Sequence, residues 1–316
     1  MNLPRVSILL ATYAGERYLP EQLDSLARQR AVDWRLLWRD DGSPDESVNV
    51  MERFAASQPG RVVRVIEPSG RIGAARGFLA LLAAASDEPG VLHAFCDQDD
   101  VWLPDKLSRA AAAIGNHPPE VPVLYCARQR LVGPDLAPRG LSALPRHQPG
   151  FANALVQNIA TGCTVVLNAA ARRLVLSVPA PLSAGSMHDW WCYLLVTGCG
   201  GRFAFDPEPV VLYRQHGTNA IGATAALPLR ALGALRRGAN AFLATLAGHL
   251  HALEAAPLTP QARATVAMLR DGLRERGARR RLARLREAGL YRQGLSEGLL
   301  LRLWVALHPL PPVCSR

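Results

Sequence analysis

The sequence predicts an α/β fold with a doubly wound, mostly parallel sheet flanked by helices, followed by a basic helical region. Three observations predict it. The first 127 residues alternate short apolar runs with segments of helical spacing, and only helical patterns remain after residue 228. A hydrophobic content of 49% in 316 residues is enough for a substantial core. Strands that alternate with helices are typical of parallel sheets.

The first strand is expected over Val6–Ala11, an apolar run that ends at Thr12 and Tyr13 and indicates burial on both faces. A helix over Leu19–Gln29 follows, with Pro20 suited to its first turn. The alternation continues through Trp34–Trp38, Pro44–Ser57, Val62–Ile66, Ala74–Ala85, Val91–Cys96, Pro104–Ile114 and Val121–Cys126. Ligands of such sheets bind beyond the carboxyl ends of the strands, so the loops after strands are expected to carry the chemistry.

A segment rich in Pro, Gly and Arg, from about 128 to 150, predicts a loop into a second half. There Phe151–Gln157 and His188–Val196 have helical patterns, whereas Cys163–Asn168, Arg202–Phe205 and Val210–Tyr213 resemble strands. The expected organisation is a domain over 1–228, with halves at about 1–127 and 128–228, and a helical C-terminal region over 229–316.

Charge divides the chain at nearly the same place. Residues 1–229 hold 21 basic and 21 acidic side chains, whereas 230–316 hold 15 and 5, so the whole net charge of +10 lies in the C-terminal region. Nucleic acid is not an expected partner, because the first 229 residues have no net charge to attract phosphate. The arginine-rich tail is either a solvated helix face or an attachment to anionic lipid headgroups, with Leu299–Val305 as an added interfacial anchor.

Cysteine usage and the N-terminal sequence predict a cytoplasmic protein. The six cysteines include no CxxC pair, which favours reduced thiols. Met1–Arg5 lacks the pattern of a signal peptide. The longest uncharged stretch of the tail, Gly238–Leu253, is shorter than the roughly 20 apolar residues of a spanning helix. Membrane contact is therefore expected to be peripheral, at the inner face of the plasma membrane.

Acidic residues directly follow two predicted strands. Asp97, Asp99 and Asp100 lie within four residues, and like charges so close raise each other's pKa unless a cation or donor is present. In an extended segment Asp97 and Asp99 point the same way, suited to a divalent metal or to a metal and a ribose. A solvated turn that caps the helix from Pro104 is the alternative. Asp40 either forms a turn with an N-cap or accepts a hydrogen bond from a base or ribose.

Two motifs of the second half carry further polar groups. Asp189 opens a predicted helix, either as an N-cap or as a general base whose pKa is raised by desolvation against an apolar wall. Trp190 and Trp191 are consistent with that wall or with the core. Arg214 and His216 follow a predicted strand, and together they suit a diphosphate or a metal, although a lone histidine is more often structural.

In this order, over roughly residues 4–220, the motifs resemble the family 2 nucleotide-diphospho-sugar glycosyltransferases, which have the GT-A fold. The resemblance rests on Val6–Tyr13, Arg39–Asp45 and Phe95–Trp102. Met187–Trp191 and Arg214–Asn219 are similar to a rhamnosyltransferase-like branch that builds bacterial surface polysaccharide. The resemblance implies a GT-A catalytic domain over 1–228, with a nucleotide-sugar-binding half before an acceptor-binding half.

The resemblance also implies roles for single residues. The residues implied to contact the nucleotide-sugar are Thr12, Tyr13, Glu16, Asp40, Gly73, Arg76, Asp97 and Arg214. Asp99 and His216 would ligate Mg²⁺ or Mn²⁺, and Asp189 would be the catalytic base. The residues implied to contact the acceptor are Trp190, Trp191, Thr161 and Gly162. Arg71 and Gly77 depart from the asparagines of the Asn-x-Gly-x-x-x-Asn pattern common in relatives.

The implied reaction is one inverting displacement. Asp189 takes the proton of an acceptor hydroxyl, that oxygen attacks the anomeric carbon, and the charge of the departing nucleoside diphosphate is offset by the metal. The donor is expected to be dTDP- or UDP-linked, rhamnose is the sugar suggested by the branch, and the acceptor is a glycan or is lipid-linked. Two alternatives stay open. One is a sugar-nucleotide pyrophosphorylase, disfavoured by the single glycine and the acid in Thr12–Arg17; the other is a non-catalytic protein that binds membrane or nucleic acid through its tail.

Overall fold

The computed structural model of the protein describes residues 3–181, 187–216 and 227–312. Gly217, Thr218 and Asn219 of the last motif, and Cys314, lie outside them. The chain forms two compact units. The first unit is Met1–Leu144, Ala160–Leu176 and Arg202–Ala225, and the second is Pro145–Ile159, Ser177–Gly201 and Ala226–Arg316.

Within the described residues, the first unit is built on a nine-stranded sheet, which confirms the α/β fold. Its strands are β1 (Arg5–Thr12), β2 (Asp33–Asp40), β3 (Val62–Arg64), β4 (Val91–Cys96), β5 (Val101–Trp102), β6 (Val123–Val132), β7 (Pro138–Leu141), β8 (Val166–Leu167) and β9 (Arg202–Arg214). The order is β3-β2-β1-β4-β8-β6-β9-β5, with β7 paired to β6. Pairings among β1 to β4 are parallel, whereas β5, β7 and β8 pair antiparallel, so the sheet is mixed.

Helices α1 (Leu19–Ala27), α2 (Ser47–Ser57), α3 (Ala74–Ala84) and α4 (Lys106–Gly115) connect the strands, and α6 (Ala169–Ser177) follows β8. Their buried apolar side chains pack with those of the central strands, among them Ile8, Leu10 and Trp38. The register pairs Thr12 with Asp40 and Leu10 with Cys96. The loops after β1, β2 and β4 therefore begin side by side at one edge of the sheet.

Several element boundaries differ from expectation. The helix expected from Pro44 begins at Ser47, because the Asp45 carboxylate accepts hydrogen bonds from the amide and hydroxyl of Ser47 and shapes the turn before it. The two strands expected around Asp206 are one strand, β9, since a bulge against β6 accommodates the prolines at 207 and 209. Strands β5 and β7 and helix α6 were not anticipated, because they are short or lack a clear apolar period, and β8 is shorter than the strand expected over Cys163–Asn168.

The second unit is helical. It consists of α5 (Phe151–Ala154), α7 (His188–Gly198), α8 (Leu227–Ala252, interrupted at Gly238), α9 (Pro260–Gly272), α10 (Ala278–Glu287) and α11 (Leu295–Leu307). A buried polar pair joins α11 to the segment after α5, where Gln157 donates to the buried Glu297 carboxylate at 2.8 Å. None of the helices in the described ranges is both long and apolar enough to cross a bilayer.

Candidate active site

A glutamine links the loops after β1 and β4. Oε1 of Gln98 accepts hydrogen bonds from the Thr12 hydroxyl at 2.7 Å and the Tyr13 amide at 2.8 Å, and its Nε2 donates to the Tyr13 carbonyl at 3.0 Å. Its side chain lies against Gly15, where a Cβ atom would be 2.4 Å from Oε1. Gln98 was not among the residues predicted from sequence; its position between two candidate aspartates was the available signal. These contacts hold Thr12 and Tyr13 against the acidic loop.

The carboxylate of Asp40 organises its own turn. Oδ2 accepts hydrogen bonds from the amides of Gly42 and Ser43, both at 2.9 Å, and Oδ1 accepts the Ser43 hydroxyl at 2.5 Å. A carboxylate has about four acceptor positions, so hydrogen bonds from the described residues leave one on Oδ1 for a ligand. The turn and base-binding interpretations of Asp40 are thus compatible.

Asp41, which was not among the predicted site residues, fixes the loop before α3. Its carboxylate accepts hydrogen bonds from the Ile72 amide at 2.7 Å and the Gly73 amide at 2.9 Å. Gly73 has φ +79°, a conformation that favours glycine, and directly precedes α3. Arg76 follows within the first turn of α3 and is exposed. Of the expected donor-binding residues, Gly73 therefore lies in a loop held by the residue after β2, and Arg76 lies in the helix that this loop begins.

Tyr13 and Arg71 are in contact at this edge of the sheet. Tyr13 is 38% exposed, and the Arg71 guanidinium lies 4.1 Å from the centre of its ring. Arg71 is one of the two departures from the family pattern, and its contact with Tyr13 gives it a position at the same edge. The carboxylate of Glu16 accepts the Glu46 amide at 2.9 Å, so this exposed residue ties the β1 loop to the start of α2.

The acidic loop after β4 divides into two sets. Ligand atoms of Asp97, Asp100 and Cys163 all lie within 4.8 Å of one another, whereas Asp99 turns to His216, with Oδ2 2.8 Å from Nε2. Asp97 and Asp99, which an extended segment would aim together, therefore belong to different sets. The His216 ring also stacks on Tyr18 with centroids 5.0 Å apart.

Asp100 is the buried member of this loop, 1% exposed, and Oδ1 accepts the Arg214 amide at 3.0 Å. No N–H or O–H group of the described residues donates to Oδ2. Burial, followed by the charges of Asp99 and Asp97, raises the pKa of Asp100 well above its usual range. Lys106, the chain's single lysine, is also buried nearby, with Nζ 2.9 Å from the centre of the Trp102 ring, and burial lowers its pKa to about 7.

The structure gives Arg214 a positioning role at the end of β9. Its guanidinium donates to the carbonyls of Asp99, at 2.8 Å, and Pro134 and to the Glu21 carboxylate. Its side chain is 1% exposed and lies 4.5 Å from the Tyr18 ring centre. The expected diphosphate contact is thus replaced by contacts with protein groups, which fix the backbone of the acidic loop.

Asp189 belongs to the second unit, in the first turn of α7. It is 7% exposed, and Oδ1 accepts the Trp190 amide at 2.6 Å. Trp190 is partly exposed and donates from Nε1 to the Ala154 carbonyl at 2.7 Å. Trp191 is fully buried, a core position without surface for an acceptor. Both indoles contact His249, with ring centroids 4.8 Å and 6.4 Å from the His249 centroid.

Thr161 and Gly162 belong to the first unit and begin a single 3-10 turn, Gly162–Thr164, before β8. The Thr161 carbonyl accepts the amide and the hydroxyl of Thr164, both at 2.8 Å. Thr161 is partly exposed and Gly162 is buried. Thr161 therefore has side-chain surface for a ligand, whereas Gly162 has none.

Comparison with known proteins decides the family. The model of Glycosyl transferase family 2 matches residues 7–176, more than half of the chain. The chain belongs to glycosyl transferase family 2. Among similar proteins are the dTDP-rhamnosyl transferase RfbG of Shigella flexneri, 27% identical over 68% of this chain and 74% of its own, and the uncharacterized glycosyltransferase alr2836 of Nostoc, 27% identical over 68% and 66%.

Solved structures support the GT-A fold of this family 2 glycosyltransferase. Staphylococcus aureus TarS 1-349 in complex with UDP-GlcNAc matches with a TM-score of 0.54 at 16% identity, over 85% of this chain and 72% of that one. The mannosyltransferase PcManGT of Pyrobaculum calidifontis, in complex with GDP-Man and Mn²⁺, matches with a TM-score of 0.53 at 17% identity, over 97% and 81%. Membership of glycosyl transferase family 2 makes the protein a nucleotide-sugar glycosyltransferase, as the ordered motifs predict.

Proposed function

We propose that this glycosyltransferase transfers rhamnose from a dTDP-linked donor to a hydroxyl of a glycan or lipid-linked acceptor in bacterial surface polysaccharide synthesis. Similarity to the dTDP-rhamnosyl transferase RfbG supports the sugar and the nucleotide. A UDP-linked donor is the competing choice. The observation that carries the proposal is the register of β1, β2 and β4, which places three polar loops at one sheet edge.

The donor pocket in this proposal lies at that edge. Tyr13 offers an exposed ring to the base, and Asp40 retains one acceptor position for a base N–H. Gly73 and Arg76 lie at the start of α3, where a helix N-terminus and a guanidinium attract phosphate. Thr12, Glu16 and Asp97 complete the set, with Thr12 and Glu16 acting through the loop contacts described above. Arg214 acts by holding the acidic loop.

A divalent metal, Mg²⁺ or Mn²⁺, is part of the proposal. Carboxylate oxygens are the ligands that these ions prefer, and an imidazole nitrogen is a common additional ligand. The adjacent Asp99 and His216 fit this requirement and would hold the ion. When bound, the ion would stabilise the negative charge of the departing nucleoside diphosphate. The set of Asp97, Asp100 and Cys163 fits less well, because it includes a buried thiol and the Asp100 carboxyl has a raised pKa.

Asp189 is the proposed catalytic base of an inverting displacement. Its carboxylate would take the proton of the acceptor hydroxyl while that oxygen attacks the anomeric carbon. Asp189 is only 7% exposed, so little water competes with an acceptor hydroxyl for its carboxylate. Trp190, whose ring is held by the Ala154 carbonyl, and Thr161 are the proposed acceptor contacts.

The proposed catalytic domain covers residues 1–228, with a nucleotide-sugar-binding half over about 1–127 and an acceptor-binding half over 128–228. The basic region covers 229–316. It also places the enzyme in the cytoplasm, peripheral at the inner face of the plasma membrane, where a lipid-linked acceptor is reached. The concentration of the +10 charge in residues 230–316 supports this location.

The test is a panel of dTDP-rhamnose, UDP-glucose, UDP-GlcNAc and GDP-mannose, scored by thermal shift with and without Mn²⁺ and by release of nucleoside diphosphate. A ligand that binds only the folded chain raises its Tm. We expect the largest Mn²⁺-dependent shift and the fastest release with dTDP-rhamnose. A larger shift with another donor would contradict the rhamnosyl assignment, and pyrophosphate exchange in place of diphosphate release would contradict sugar transfer.

A further inference from the structure

Helix α11 carries a row of exposed leucines. Leu295, Leu299, Leu303 and Leu307 are 76%, 64%, 52% and 63% exposed. Residues four apart lie on the same side of a helix, so these side chains form one stripe along the whole of α11. We name these four residues the leucine stripe.

The fold does not need the leucine stripe for its core. The opposite side of α11 already packs inside the second unit through Leu301, Trp304 and Val305, all buried. Helix α11 is therefore apolar on two sides, of which one faces solvent. A helix that is apolar all round belongs in a core or at a membrane, and contiguous exposed apolar surface marks an interaction site.

Exposed arginines lie on α11 and at the start of α10. Arg302 is exposed on α11 itself, next to Leu303. At the start of α10, the buried Arg281 donates to the carbonyls of Val305 and Ala306, both at 2.7 Å, and so fixes that start at the C-terminal end of α11. Its neighbour Arg279 is exposed. Within the described ranges, neither Arg279 nor Arg302 has a carboxylate within ion-pair distance.

We propose that the leucine stripe inserts into the interfacial region of an anionic lipid bilayer while the exposed arginines contact headgroup phosphates. Apolar side chains beside basic ones are the features of an interfacial helix. Anionic lipid is a better partner for the stripe than a second copy of this chain. Residues 230–316 carry 15 basic and 5 acidic side chains, so two copies would repel each other there. This assignment rests on the proposed location at the plasma membrane, and it names the surface of the chain that contacts lipid there.

The test is co-sedimentation of the full chain with vesicles of phosphatidylcholine, with and without phosphatidylglycerol. The variant Leu299→Gln/Leu303→Gln is compared with Leu144→Gln, a 45% exposed leucine of the first unit. We expect the double variant to lower the partition coefficient for phosphatidylglycerol vesicles at least about tenfold, because less apolar surface leaves water. Leu144→Gln should bind like the wild type.

Arginine variants provide a second measurement. Arg279→Gln and Arg302→Gln should each lower binding to phosphatidylglycerol vesicles about fivefold, an effect that fades at high salt. Circular dichroism and thermal unfolding report whether each variant is folded. Equal binding by the double leucine variant and the wild type would overturn the inference. So would a lipid-free dimer, seen by sedimentation velocity, that the leucine variant converts to monomer. Because these assays use lipid alone, their failure leaves nucleoside diphosphate release as a separate test of sugar transfer.

Discussion

Nε2 of His216 lies 2.8 Å from Oδ2 of Asp99, so a side chain two positions beyond the end of β9 contacts the loop after β4 at one carboxylate. Tyr18 stacks on the other side of this imidazole. Arg214, two residues earlier, holds the Asp99 carbonyl and also contacts Tyr18. Three segments far apart in sequence thus fix the position of a single candidate metal ligand.

Asp99→Asn is expected to weaken activation by Mn²⁺ by about 100-fold or more, because a neutral amide is a poorer metal ligand than a carboxylate. The measurement is diphosphate release against Mn²⁺ concentration, with Asp24→Asn on the exposed side of α1 as the matched control. Excess EDTA should abolish release by the wild type. Unchanged Mn²⁺ dependence in Asp99→Asn would remove Asp99 from the metal site.

Asp189→Asn is expected to abolish sugar transfer, with kcat reduced by at least about 100-fold, because the amide cannot accept the acceptor's proton. Nucleotide affinity should remain nearly that of the wild type. Transfer is measured with acceptor present, and affinity by thermal shift with the nucleoside diphosphate. Wild-type turnover would rule out Asp189 as the base.

Gln98→Ala removes the three hydrogen bonds that join the loops after β1 and β4. We expect a loss of about 1–2 kcal/mol in the free energy of unfolding, together with a higher KM for the donor and a smaller change in kcat. Urea unfolding and initial rates measure these quantities. Gln148→Ala, an exposed glutamine of the second unit, should change neither. A fall confined to kcat would argue that Gln98 acts on the reacting atoms.

Lys106 gives the folded chain a pH-dependent stability. Between its folded pKa of about 7 and the ordinary value of 10.5, the unfolded chain binds a proton that the folded chain does not. Its contribution to stability therefore rises as pH rises through this interval. Lys106→Met should be stabilised relative to the wild type near pH 7, and the difference should shrink toward pH 10. Urea unfolding at several pH values measures it, with the exposed Arg28→Met as control; a constant difference would contradict the assignment.

Arg214→Lys is expected to destabilise the enzyme by about 2–4 kcal/mol, because one ammonium cannot reach the several acceptors of the guanidinium fork. The Asp99 and Pro134 carbonyls would lose their partner at a partly buried position. Thermal and urea unfolding measure the loss. A variant of wild-type stability with weaker diphosphate binding would restore the ligand contact first expected of Arg214.

Sequence reasoning predicts the parallel half of the sheet well, because β1, β2 and β4 are rich in large apolar residues and each is followed by a polar loop. It predicts the mixed half less well. Strands of two residues, such as Val101–Trp102, are too short to show a period. The bulge in β9 interrupts the apolar pattern, so the sequence predicts two strands where the structure has one. Family membership follows from the order of motifs, and the match over residues 7–176 confirms it.

Candidate residues could be named from sequence, but their functions depend on partners distant in the chain. The pairing of Asp99 with His216 spans 117 residues, and the burial of Arg214 follows from contacts with Glu21, Asp99 and Pro134. No local pattern shows that an arginine after a strand faces inward. Gln98 and Asp41 were missed for the same reason, because each positions a loop by binding backbone groups that are distant in sequence.

The burial of the only lysine also allows unfolding to be measured by proteolysis. A protease that cleaves solely after lysine has one site in this chain, at Lys106, and the folded state shields it completely. Brief exposure to such a protease in increasing urea would cut only molecules that have opened around α4, leaving two fragments of about one third and two thirds of the chain. The intact band then reports the folded fraction without any label, for the wild type and for every variant that retains this residue.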